Sequence, residues 1–313
     1  MYKKMIQCAL IVLMLLSLTL PALGAIGEYE IKQIVEPYRY SDEGVLVYGP
    51  YTYKNAPYYL VDFYPTDDES LTTGVLIIDA ETEKIVTNKE IADKIIITYC
   101  IAYFVSSQSI SNLEITSKYY GDNIEFMKED IKIAEESAKL MNQQSNFSSI
   151  IETSRKVENS NSALKENVDQ QIAISKKIYA GDHSYENSIE LKTLTENYIS
   201  LLEEYLDLRV EYRVQSVYYY DLGKQMGFNS NRYEWEGSRD RYLAGIDADT
   251  KIIEDELKIE KEIKAIDDEY ISFMSNSIDP RLTDTGAETP GFTLLISVFV
   301  LLIVGFFIKK QKK

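Results

Sequence analysis

The sequence predicts an α+β protein: a small antiparallel sheet with a covering helix, then an elongated antiparallel helical bundle or coiled coil, then a C-terminal transmembrane helix. Three observations carry this expectation. Short β-rich runs punctuated by turn residues occupy the chain up to residue 87. Beyond Gly121, apolar residues recur at alternating steps of three and four. Near the end, residues 291–308 are 18 positions without a charge, followed by lysines.

The N-terminus has the order of a secretory signal. Met1-Tyr2-Lys3-Lys4 precede an apolar run from Met5 to about Leu20. Pro21 breaks the run, and Ala22-Leu23-Gly24 supplies small residues at the cut, between Gly24 and Ala25. The alternative is an uncleaved anchor. Residues 1–24 are thus read as signal peptide, and residues 26–110 as an α+β head.

Within the head, residues 44–50, 58–65 and 73–79 read as strands, the last being the most apolar. Ala80-Glu81-Thr82-Glu83 turns it back into Lys84-Ile85-Val86. Residues 27–57 look extended throughout. A sheet of this size needs a partner on one face. The apolar stretch 95–105 is too short to cross a bilayer and is expected to cover it. Thr87-Asn88-Lys89-Glu90 has the form of a capping box, with Thr87 capping and Glu90 reaching back.

Residues 111–278 read as a stalk of helical hairpins. Ile124, Met127, Ile131, Ala134, Ala138 and Met141 form one stripe. Leu191, Leu194, Tyr198, Leu201, Tyr205, Leu208 and Tyr212 form a second, and Ile259, Ile263, Ile266, Tyr270 and Phe273 a third. A helix over 184–222 would be ~58 Å long. Breaks are expected at Gly121-Asp122, at Gly181-Asp182 and across 223–237. The Asn-, Gln- and Ser-rich stretch 142–165 loses the stripe and reads as a loop or an exposed helix. Apolar surface left over on such helices would allow self-association.

Residues 279–290 form a polar linker, 291–308 a transmembrane helix and 309–313 a basic tip. At ~1.5 Å per residue the apolar run spans ~27 Å, close to the hydrocarbon thickness. The terminal lysines belong in the cytoplasm, which puts the bulk of the chain outside a single-pass membrane anchor. Immediately before the run stand Pro290, Gly291 and Phe292. This tripeptide, one hydrophobic helix and a basic tip resemble the PGF-CTERM sorting signal of archaeal surface proteins. The resemblance covers residues 290–313. It implies an archaeosortase as partner and membrane lipid attached in place of the removed tail. A plain single-pass anchor is the alternative. Residues 59–92 resemble, faintly, a PepSY-like module: strand, Gly-led apolar strand, Asp-Ala-Glu-Thr turn, closing strand. That family opens with a helix, where this chain looks extended.

Composition narrows the chemistry. The formal charge is −17, and setting aside Lys3, Lys4 and the four terminal lysines leaves −23 on the exposed part. Such a surface repels phosphate backbones, so no nucleic-acid partner is expected. Cys8 belongs to the leader, which leaves Cys100 alone in the mature chain and excludes a disulfide or a cysteine metal site. His183, the one histidine, sits in an apparent turn and cannot by itself make a triad or a zinc site. Asp67-Asp68-Glu69 and Glu203-Glu204 are acidic pairs of the kind that serve glycosidases, but 50 acidic residues produce such pairs freely on wet helix faces. Asp79-Ala80-Glu81 and Asp247-Ala248-Asp249 open like calcium loops. Neither has the sixth-position glycine, and Lys84 and Lys251 lie close by, so neither is an EF-hand. No catalytic, cofactor or metal residues are assigned, and no cofactor is expected. Asn146-Phe147-Ser148 is a glycosylation sequon with Asn146 as acceptor.

Of 25 tyrosines, Tyr198, Tyr205, Tyr212 and Tyr219 fall on the heptad stripe and are explained by packing. Tyr51, Tyr53, Tyr58, Tyr59 and the run Tyr218-Tyr219-Tyr220 are harder to bury together and suit a partner or glycan surface. The leading expectation is a non-enzymatic cell-surface protein with a structural, spacer or adhesion role. An extracytoplasmic binding or sensor module, with a PepSY-like head, is the alternative from another class. A carboxylate-dependent hydrolase comes third.

Overall fold

The computed structural model describes residues 26–107, 110–140, 142, 144–225 and 232–278. The chain is α+β, with one four-stranded antiparallel sheet and six α-helices among these residues. It divides into two compact units: residues 26–99 with 273–278, and Cys100–Ser272.

The sheet unit begins with helix α1, Glu28–Val35, where the sequence suggested extended chain. The Glu30 carboxylate accepts the Gly27 backbone N–H, which starts the helix, and Ile31 and Val35, four apart, form its buried side. Strands β1 (Glu43–Tyr53), β2 (Ala56–Pro65), β3 (Gly74–Asp79) and β4 (Lys84–Ile85) follow in simple meander order. The β1–β2 hairpin turns on Lys54 and Asn55, both at positive φ, as a two-residue hairpin loop requires. The pairing shifts between Tyr48 and Tyr51, where Gly49 has φ 122° and a Cβ would lie 2.9 Å from the Tyr58 carbonyl oxygen. Asp79 closes the β3–β4 turn by accepting the backbone N–H groups of Glu81 and Thr82.

Alternation along β2 and β3 gives the sheet two apolar faces. Val61, Phe63, Leu76 and Ile78 pack on Ile31 and Val35 of α1. On the other side Leu60 pairs with Ile77 and Tyr48, and the Tyr48 and Tyr51 rings pack on Tyr99 of helix α2, Lys89–Ser107. Both faces are therefore covered, not one. The cap of α2 is Asn88, whose side-chain oxygen accepts the Ile91 N–H; Glu90 pairs instead with Lys94. The expected box thus does not form, and the cap lies one residue later, at Asn88. Of the apolar stretch 95–105, the part up to Tyr99 belongs to the sheet unit and the rest to the helical unit. The sheet unit then receives the far end of the described chain: the Val75 N–H donates to the Ser277 carbonyl, and Val75 bridges Ile278 in parallel.

The helical unit is built on α3 (Ile110–Leu140), α4 (Gln144–Tyr179), α5 (Tyr185–Gln225) and α6 (Arg232–Asn276). Cross-helix bonds run antiparallel: Ser117 to Asp169 and Ser154 to Asp130 between α3 and α4, Lys192 to Asp268 and Arg209 to Asp249 between α5 and α6. Gly121 lies inside a continuous α3, so no break occurs there. Gly181, at φ 100°, does end α4. The stretch 142–165 is mostly helix, the first part of α4, whose heptad stripe is complete: Phe147, Ile150, Ser154, Val157, Asn161 and Leu164, then Val168, Gln171, Ser175 and Ile178 beyond it, are all buried. On α5 the buried stripe is Leu191, Tyr198, Leu202, Tyr205, Arg209, Tyr212 and Ser216; Leu201 and Leu208 are only partly buried. The third expected stripe, Ile259 to Phe273, is half-buried.

Candidate functional site

The most unusual feature of the helical unit is that its core is polar at regular levels. Seven-residue spacing on α5 stacks Tyr198, Tyr205 and Tyr212 along one line, and each is buried. The Tyr198 hydroxyl donates to Glu256 of α6 at 2.5 Å and lies 2.9 Å from the Tyr120 hydroxyl of α3. About four turns further, Tyr212 donates to Asp130 of α3 at 2.8 Å, and Tyr242 of α6 donates to the other oxygen of the same carboxylate at 3.1 Å. Ser154 of α4 also donates to Asp130. Four helices therefore meet at one carboxylate.

Between these levels lies Arg209, 5 % exposed, whose guanidinium pairs with Asp249 at 2.7 Å and donates to the Ile246 carbonyl. Tyr119 donates to the same Asp249, and the Arg209 cation lies over the Tyr205 and Tyr212 rings. Burial raises the pKa of all these phenols, and the adjacent carboxylates raise it further for Tyr119, Tyr120, Tyr198 and Tyr242. They stay protonated, and Tyr119, Tyr198, Tyr212 and Tyr242 act as donors, whereas the Tyr205 hydroxyl has no hydrogen-bond partner. Burial pushes Asp130 up as well, while the hydrogen bonds from Tyr212, Tyr242 and Ser154 pull it back. The arrangement ties the four helices to one another through buried polar contacts.

Two further carboxylates are perturbed. Asp62 of β2 is 8 % exposed; Thr72 donates to one oxygen at 3.3 Å and the other has no hydrogen-bond partner. Burial lifts its pKa to about 7. Asp267 of α6 lines a cavity of about 40 Å³ with Phe104, Leu191, Lys192 and Lys264, and burial with the neighbouring Asp268 lifts it to about 7. That volume admits little more than one water-sized molecule. An open groove of about 640 Å³ runs between α3 and α4, with Gly121, Ile124, Lys128, Lys165 and Asp169 along it.

The sequence-predicted residues scatter rather than converge. Pro290, Gly291, Phe292, Gly24 and Ala25 lie outside the described residues, as do the apolar ends. Asn146 falls in the first turn of α4, its side chain outside the described residues, beside a fully buried Phe147. Tyr51, Tyr53 and Tyr58 are buried and Tyr59 is half-buried against the core on the α1 side, so the expected aromatic surface on the sheet does not form; the Tyr51 ring packs on Tyr99 of α2, and Tyr53 accepts from Lys94 at 2.8 Å. Of the second tyrosine group, Tyr218 is exposed while Tyr219 and Tyr220 are half-buried. Cys100 is buried and its thiol pushed up by desolvation. Asp68 binds its own turn through Ser70, Glu203 pairs with Lys261, and Asp247 and Asp249 pair with Arg213 and Arg209. His183 follows the Gly181 turn, its backbone N–H bonded to the Gly181 carbonyl.

Among the described residues, no group of three His, Cys, Asp or Glu side chains is placed to hold a metal ion, and no helix is long and apolar enough to cross a membrane. Asp62, Asp130 and Arg209 are the polar residues that sequence reasoning missed. The one available signal was a charged residue inside an apolar run, as in Val61-Asp62-Phe63. Comparison with protein-family models, with curated proteins and with solved structures finds no match.

Proposed function

We propose that this chain is an exported, non-enzymatic surface protein, held at the membrane by its C-terminal apolar segment and carrying its helical unit outside the cell. The supporting observation is the pair of apolar segments bracketing a strongly acidic interior, the second followed by a basic tip. In this reading membrane lipid is a partner. An archaeosortase is a second one if Pro290, Gly291 and Phe292 act as a sorting signal, and Asn146 is a glycan acceptor. The chain enters the helical unit at Cys100 and leaves it at Ser272, then re-joins the sheet before the tail. In connectivity, then, the sheet unit is next to the tether and the helices are an insertion within it. That order favours presentation of the helices, as an adhesin or envelope component, over a spacer interposed between head and membrane.

Mass spectrometry of the protein purified from its native membrane tests the reading. Absence of residues 1–24 and a C-terminus either lipid-modified near Gly291 or intact at Lys313 fits it, the two ends separating the sorted from the plain anchor. Recovery of the full-length chain in the soluble cytoplasmic fraction would refute both. A second reading, a sensor module, draws on α1, which supplies ahead of the strands the helix that the PepSY-like resemblance calls for.

A further inference from the structure

We infer that the seam between α3 and α6 is a docking groove for a cationic amphipathic helix from a partner protein. The inference rests on the helical unit alone and holds whether or not the chain is tethered.

On α3, Ile115, Phe126 and Ile133 are separated by 11 and 7 residues, which at ~100° per residue puts them within roughly 20° of one line. Ile115 is 59 % and Phe126 53 % exposed. Each sits four residues before a side chain that bonds α6: Tyr119 donates to Asp249, and Asp130 accepts from Tyr242. The apolar line therefore runs along the α6 side of α3, just outside the bonded seam. On α6, Ile252 (56 % exposed) and Gly245 lie three residues beyond Asp249 and Tyr242, turned away from the α5 side, where Asp247 meets Arg213. The antiparallel register set by the two bonds brings Ile252 level with Ile115, and Gly245 level with Phe126. A Cβ at Gly245 would meet nothing within 4 Å. The seam thus has an apolar wall on α3, Ile252 and a bare glycine facing it on α6, and a floor of phenols and carboxylates.

Two neighbouring antiparallel helices form the groove into which a third helix packs its ridges. From Ile115 to Ile133 the groove runs ~27 Å, about five helical turns. Charge selects the occupant. Asp122 and Glu129 are exposed along the apolar line, Glu129 in a loose surface pair with Lys132 at 3.8 Å, and the body as a whole is strongly negative. A second copy would bring like charge against like charge, whereas lysines flanking an apolar face would meet these carboxylates.

The test uses the full chain in neutral-lipid nanodiscs and a labelled 18-residue Leu/Lys amphipathic peptide. A scrambled peptide of equal charge serves as the comparison. The wild type is expected to bind the amphipathic peptide at least ten-fold more tightly than the scrambled one. The Phe126→Ser/Ile252→Ser double variant, altered only at exposed positions, is expected to lose that preference while its helical circular dichroism is unchanged. Equal binding of both peptides by the wild type would overturn the inference, as would a preference that survives in the double variant. A wild-type dimer that the double variant dissolves would also overturn it, and would assign the groove to a second copy.

Discussion

Replacing Asp62 with asparagine isolates the energetic cost of one carboxyl set into an otherwise apolar strand. Asp62 is nearly fully buried, receives one hydrogen bond from Thr72 and has a second oxygen with no partner. The nearby Glu43 is engaged differently, accepting from Thr73 Oγ1 at 2.6 Å and from the Tyr40 N–H. Burial raises the Asp62 pKa from 3.8 to about 7. The unfolded chain therefore loses this proton near pH 4, and the folded protein holds it until near neutrality. Stability from this group is complete below the unfolded pKa, falls as pH rises through the window between the two values, and levels off above the folded one. A raised pKa of this size is worth roughly 4 kcal/mol in all, of which about 2.5 kcal/mol is lost between about pH 5 and about pH 8. Asparagine keeps the shape and removes the titration. Urea-dependent hydrogen exchange of the β2 and β3 amides, read for both proteins across that range, gives the stability of the sheet unit. Asp267 and Glu260, also raised to about 7, titrate in both proteins and cancel in the difference. The expected result is a gap that grows in favour of the variant as pH rises. Parallel profiles would refute the reasoning.

Three more outcomes follow from the helical core. Arg209→Met leaves the half-buried Asp249 with only Tyr119 as donor and should cost ~2–4 kcal/mol in thermal unfolding, with Asp249→Asn in the same chain recovering part of it; a loss below ~1 kcal/mol would show the pair to be solvated. Tyr212→Phe removes one of the donors to Asp130 and should cost ~1–3 kcal/mol, whereas the exposed Tyr218→Phe should change stability by less than ~0.5 kcal/mol; both are read from denaturant midpoints. Asn161 is fully buried, donates to Val157 of its own helix, lies beside the buried Tyr205 hydroxyl and leaves its carbonyl oxygen unpartnered. Asn161→Leu should therefore leave stability unchanged or raise it by ~1 kcal/mol, and a clear loss in the same assay would mean the asparagine has a partner in solution.

The strands were legible because they are local. β-rich runs, turn residues and the Asp79 turn place four strands close to where they form. Helix α1 was not, because eight residues with two buried positions, Ile31 and Val35, carry too short a period to stand out from extended chain. The second half of the helical pattern failed for another reason. Ser154, Asn161, Gln171 and Ser175 occupy inward positions, so the stripe on α4 is complete in space and broken in hydropathy. On α5 the tyrosine line was readable at seven-residue steps, but the alternate positions fall on Leu202 and Arg209 rather than Leu201 and Leu208. An arginine looks like a surface residue until Asp249, 40 positions later, is brought beside it. The polar core was beyond sequence reasoning for the same reason: each bond joins helices whose pairing no local pattern specifies.

Those buried charges answer a question that heptad spacing leaves open, namely why four long helices adopt one register. Apolar stripes of period seven tolerate a slide of one heptad, since leucine or tyrosine meets a similar neighbour after the shift. The charges do not tolerate it. Sliding α6 so that Glu256 takes the place of Asp249 would preserve an acid beside Arg209. It would also carry Asp249 to the place of Tyr242, against Asp130, and put Ile263 where Tyr198 now finds its acceptor. Two carboxylates would face each other inside the core and a buried phenol would lose its partner. The opposite slide puts Tyr242 beside Arg209 and leaves the guanidinium buried without a carboxylate, a defect worth several kcal/mol. Only the observed register pairs Tyr198 with Glu256, Arg209 with Asp249 and both Tyr212 and Tyr242 with Asp130. The polar core thus contributes to specificity more than to net stability, and it keeps the α3–α6 seam, with its exposed apolar walls, at a fixed geometry.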